Sequence, residues 1–115
     1  MKIRRVIAYE HHFEEFLKEL PQKVQDKIYK VIEAIEMLET VPVNFLKQMI
    51  GTKGLYEARI QLGSNIWRVF CFFDDHQLVI LINGFQKKTQ KTPKQELDKA
   101  DRLKKEYFNI KNKMK

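Results

Sequence analysis

Two arginines stand in segments otherwise built as strands. Arg59 lies in LYEARIQL, residues 55–62, and Arg68 lies between Trp67 and Val69 in IWRVFCFF, residues 66–73. A guanidinium keeps its charge, and an isolated buried charge is expensive, so each must reach solvent or an anion. Gly63-Ser64-Asn65 reads as a short hairpin loop, which brings the two arginines together on one face. Glu57 could supply the anion in a purely structural pair. The alternative is a phosphate site, because the guanidinium fork matches phosphate oxygens. Lys87 and Lys88 follow the next strand and add charge at the rim of the sheet. Phe85, just before them, offers a face on which a base can stack, or else belongs to the core.

Other chemistries find little support. His11 and His12 are adjacent and point in different directions along a helix, and His76 sits in a turn. No Cys/His/Asp/Glu spacing matches a zinc or calcium site, so no metal and no cofactor is expected. There is no phosphate-cradling glycine loop and no Ser or Cys nucleophile motif. Cys71 reads as a small core residue. A single cysteine cannot form an internal disulfide, and a reducing cytoplasm is the simplest home.

The charge is unevenly placed. Residues 1–86 hold eleven basic and eleven acidic side chains, whereas residues 87–115 hold eleven basic and four acidic. The whole excess of +7 therefore lies in the last quarter, which includes Lys91, Lys94 and Arg102. That segment is either a surface for a polyanion such as RNA or a solvated lysine-rich helix. The 115 residues suit one domain spanning 1–115, and 43% hydrophobic residues can fill a core. No run approaches the length of a membrane span, and the start MKIRRVIAYEHHFEE turns acidic too early for a secretory signal.

The elements that must position these residues follow from periodicity. Residues 2–9 read as a strand. Phe13, Phe16, Leu17 and Leu20 form one helical stripe, and Pro21 ends that helix and opens the next. Val24, Ile28, Val31, Ile35 and Leu38 continue the second helix to about Glu39. Residues 43–54 read as a connection with a short helical turn at Phe45-Leu46. Three strands follow at 55–62, 66–73 and about 77–85, the last two apolar on both faces and therefore central. Thr92, Pro93 and Gln95 look like a capping box that opens a basic helix over about 93–110, with Leu97, Ala100, Leu103, Tyr107 and Ile110 as its stripe and a frayed tail at 111–115. The expected fold is α+β with the order β-α-α-β-β-β-α. A small, mostly antiparallel sheet carries an N-terminal helical hairpin on one face, the first strand lies beside the last, and the C-terminal helix covers the other face or extends away.

Three segments together carry a resemblance. Leu55-Tyr56-Glu57-Ala58-Arg59 resembles L-Y-E-L-R, Trp67-Arg68-Val69-Phe70 resembles Y-R-V-F, and residues 84–93 resemble G-F-x-K-K-T-x-K-T-P. In this order the chain is similar to the RelE/ParE toxin superfamily, nearest its HigB-like, phage-derived branch. The resemblance implies a toxin of a type II toxin–antitoxin pair, acting as a metal-independent endoribonuclease on messenger RNA at the ribosome. It implies a cognate helix-turn-helix antitoxin and a toxin–antitoxin hetero-oligomer. It places Arg68 at a key arginine, Arg59 on the same basic face, and Lys87 or Lys88 at a basic position after the last strand. Glu57 is then a candidate base, and Phe85, Lys91, Lys94 and Arg102 are candidate RNA contacts. The resemblance leaves two other functions open: inhibition of DNA gyrase in the manner of ParE, and RNA binding without cleavage.

Overall fold

The computed structural model describes residues 2–114. Its elements are β1 (Arg5–Ala8), α1 (His12–Lys18), α2 (Gln22–Met37), β2 (Leu46–Gln48), β3 (Leu55–Leu62), β4 (Asn65–Asp75), β5 (Leu78–Lys87) and α3 (Lys94–Lys113). The sheet order is β1-β5-β4-β3-β2, with β1 parallel to β5 and every other pair antiparallel. The α+β architecture is the expected one, including the first strand beside the last.

The expected connection at 43–54 contains a fifth strand instead. The Phe45 and Leu46 amides donate to the Pro42 carbonyl, and β2 then pairs with β3 through Leu46↔Ala58. Three residues are too few to display a period of two, which is why β2 is silent in the sequence.

Both faces of the sheet are covered. Val24, Ile28, Val31 and Ile35 of α2 pack with Ala58, Ile60, Val69 and Cys71 on one face. Ala100 and Leu103 of α3 pack with Leu55, Phe70, Phe72, Ile80 and Ile82 on the other. The β4 and β5 strands lie between these layers, which accounts for their apolar runs. The stripe of α3 departs from expectation at one end. Ile110 is exposed, and Phe108 packs against Phe72 in its place.

The capping box at Thr92 does not form. Pro93 is the N-cap, in extended conformation, and no side chain caps α3. Pro21 likewise stands just outside α2. The expected fray at 111 also gives way to helix through Lys113. Tyr107 donates to Asp74 at 2.6 Å and Lys111 pairs with the same carboxylate, so the last turns are tied to β4. Lys115, the end of the expected tail, lies outside the described residues.

One irregularity governs the site. Val69 pairs with Gly84 but Cys71 pairs with Leu81, so β5 carries an extra residue at Ile82-Asn83. Ile82 and Asn83 both turn toward α3, where the Asn83 amide donates to the Glu96 carbonyl and to Glu96 Oε1, each at 3.1 Å. This contact pins the first turn of α3 to the sheet. Gly84 then faces α1, and a Cβ built there would meet the Phe16 ring at 2.6 Å. The Gly84→Ala variant is expected to lose about 1–3 kcal/mol through overpacking, read as a lower urea midpoint with an unchanged slope. A Phe16→Leu partner substitution should recover part of that loss.

Candidate functional site

The β3–β4 hairpin is the platform. Leu62 pairs with Asn65 across the two-residue turn Gly63-Ser64, with Gly63 at φ +63°. That register sets Arg59 directly opposite Arg68. Both point to the α3 side of the sheet, together with Glu57 and Phe70, which are also cross-strand neighbours. Because α3 begins near Asn83 and runs toward the other end of the sheet, it leaves this end uncovered. The uncovered end is a hollow of about 530 Å³ lined by Arg59, Ser64, Ile66, Arg68, Lys87 and the 88–90 loop.

Four of the candidate residues, Arg59, Arg68, Lys87 and Lys88, line this hollow together. Arg68 is only 5% exposed. Burial lowers its pKa from the ordinary value, Glu57 opposes that shift and Arg59 adds to it. Glu57 lies between the two arginines, with Oε1 at 3.4 Å from Arg68 Nε and 3.7 Å from Arg59 Nε. Arg68 Nη1 also donates to the Trp67 carbonyl at 3.2 Å. The charges are poorly closed: Glu57 Oε2 and Arg68 Nε are buried without a hydrogen-bond partner. No acidic side chain is among the hollow's lining residues, and the one carboxylate beside it, Glu57, pairs with Arg59 and Arg68 alone of the hollow's four cations. Such a surface attracts anions, and a guanidinium pair fits phosphate oxygens.

The other candidates lie elsewhere. Phe85 is a correction: it is 7% exposed and packs on Phe70 at 5.5 Å between ring centroids. The extra residue in β5 turns it into the core beneath α3, so it presents no face to a base. Glu57 is engaged by two guanidiniums, which leaves it poorly placed as a base. Lys91 is exposed in the loop ahead of α3. Lys94 pairs with Asp98 at 2.7 Å on the first turn of α3. Arg102 lies two turns further along, in a mixed-charge groove with Asp98, Asp101, Lys105 and Glu106, apart from the hollow. Ser64, Thr89 and Gln90 were not singled out from the sequence. Thr89 could have been, since it sits inside the G-F-x-K-K-T segment.

The remaining reactive groups are accounted for. His11 and His12 do not diverge, because His11 precedes the helix, and their rings lie 4.5 Å apart. Cys71 is fully buried and burial pushes its thiol up to about 12, which agrees with a core role. Tyr9 donates to Glu106 at 2.5 Å and packs edge-on against Tyr107. Among the described residues no His/Cys/Asp/Glu group could hold a metal ion, and no helix is long and apolar enough to cross a membrane.

The fold has a known counterpart. A chain of the crystal structure of the archaeal RelE–RelB complex from Pyrococcus horikoshii OT3 superposes with a TM-score of 0.53 at 18% identity. The match covers 75% of this chain and 97% of that one. Comparison with curated proteins gives no match. The family model described as phage-derived protein Gp49-like matches residues 15–105, a span that holds all of β3, β4 and β5 and the whole hollow. With the family match spanning most of its length, the chain has a RelE-like fold and belongs to the phage-derived Gp49-like family.

Proposed function

We propose that the chain is the toxin of a type II toxin–antitoxin pair and cleaves messenger RNA on the bacterial ribosome, in the cytoplasm. The observation that carries this reading is the hollow lined by Arg59, Arg68, Lys87 and Lys88 with no acidic side chain among its lining residues. Cleavage without a metal requires the 2′-hydroxyl to lose a proton and attack the adjacent phosphorus, and the leaving 5′-oxygen to gain one. The crowded phosphate between those events carries extra negative charge. Arg68 and Arg59 stabilise it, with Lys87 and Lys88 at the rim, because preformed donors need little reorganisation as the charge develops. Alignment of the reacting groups comes from the ribosome, which holds the message in a fixed path. The archaeal relative was crystallised as a complex of RelE with RelB. By analogy, an antitoxin would bind this chain and hold it inactive, and the HigB-like resemblance points to one of helix-turn-helix class.

Mapping messenger RNA ends after brief induction in bacteria tests the reading. New 5′ ends inside open reading frames, absent when translation is blocked beforehand, are the expected result. Filamentation and DNA-damage signalling without new ends would assign the chain to gyrase inhibition. Salt-sensitive RNA binding without new ends would leave a binding module.

A further inference from the structure

We infer that Glu57 is a positioning residue that braces Arg59 and Arg68 into one receptor for a phosphate group. The inference rests on the RNA-cleaving reading for its biological meaning, but its geometry stands apart from that reading. Two guanidiniums directly opposite across an antiparallel ladder repel one another. Glu57, two residues from Arg59 on the same strand and face, sits within ion-pair distance of both. Both contacts fall on Nε, the stem edge of the guanidinium. Arg68 Nη1 donates to the Trp67 carbonyl, and both arginine side chains line the hollow.

A carboxylate serving stability alone closes its hydrogen bonds, typically two in parallel to one arginine. Glu57 does not. It shares one oxygen between two cations at 3.4 and 3.7 Å, while its second oxygen is buried and unpartnered. Glu57 itself is not among the residues that line the hollow. The arrangement spaces the arginines without neutralising them, and Lys87 and Lys88 lie within the same hollow.

The test uses the full chain as wild type, Glu57→Gln and Glu57→Asp. Inorganic phosphate is titrated while the arginine Nε–H resonances are followed, and RNA cleavage on programmed ribosomes is measured across pH. Phosphate should shift both arginine signals together in the wild type. In Glu57→Gln its affinity should fall about tenfold, the loss expected when one well-placed charged hydrogen bond is misaligned. That fall would occur although the hollow gains one net positive charge. Glu57→Asp should lie between the two, and it carries the test if Glu57→Gln does not fold. Unchanged or tighter phosphate binding in Glu57→Gln would show a mere competing counter-charge and overturn the proposal. Loss of the acid limb of the pH–rate profile with phosphate affinity intact would make Glu57 a base and also overturn it. If no form cleaves RNA, the nuclease reading fails, and the phosphate titration still decides the role of Glu57.

Discussion

Replacing Arg68 with lysine is expected to slow RNA cleavage about a hundredfold, within the range for losing one preformed transition-state donor. Lysine keeps the positive charge, so electrostatic attraction of RNA survives. It cannot reproduce the planar fork that meets two phosphate oxygens while its stem edge faces Glu57. Single-turnover cleavage on programmed ribosomes measures the effect, and a wild-type rate in Arg68→Lys would remove the fork from the mechanism. Arg68→Ala is a harsher probe with a second consequence. It leaves Glu57, itself 6% exposed, with only the longer contact to Arg59. Breaking one side of a buried pair costs about 3–5 kcal/mol, so that variant mixes lost folding with lost chemistry. The lysine variant separates them.

The second large effect belongs to Phe70. Its side chain is fully buried, stands opposite Glu57 across the ladder, and packs on Phe85. It thus forms the boundary between the charged cluster and the α3 core. Phe70→Ala is expected to cost about 3–5 kcal/mol, the transfer term plus the cavity left behind. Urea unfolding checks this as a fall in midpoint, while Phe70→Leu should retain much of the stability. An alanine variant as stable as the parent would mean that α3 closes onto the sheet and refills the gap.

The hairpin that makes the site was legible because its signals are local. Clean alternation in β3, a glycine turn and two out-of-place arginines fix the Arg59–Arg68 pairing once the register is a two-residue turn. Phe85 was open to misreading for a different reason. Its side depends on one extra residue at Ile82-Asn83, and an apolar run carries no alternation from which to detect a slip. The capping box at Thr92 was a motif whose residues were all present. The helix began one position later than the motif demands, and local preference yielded to the anchoring of α3 by Asn83. Charge counts pointed to the basic terminal quarter, but a count holds no direction. Lys87 and Lys88 face the hollow, whereas Arg102 occupies another side of α3.

The extra residue in β5 also divides a single strand into two phases. Val79 and Leu81 obey one inside–outside code, and Phe85 and Lys87, at the same parity, obey the opposite one. The first half of the strand can drift in sequence under the rules of the scaffold, while the second drifts under the rules of the hollow. Substituting His76, which is exposed in the β4–β5 turn, changes only a loop. Removing one residue at 82–83 would instead rotate everything after it by half a pleat. Lys87 would be carried to the helical-hairpin face, Phe85 would be driven toward the ring of Phe16, and Gln86 would enter the hollow. Substitutions in β5 are therefore graded in their effects, but its length between Leu81 and Lys87 is all-or-none.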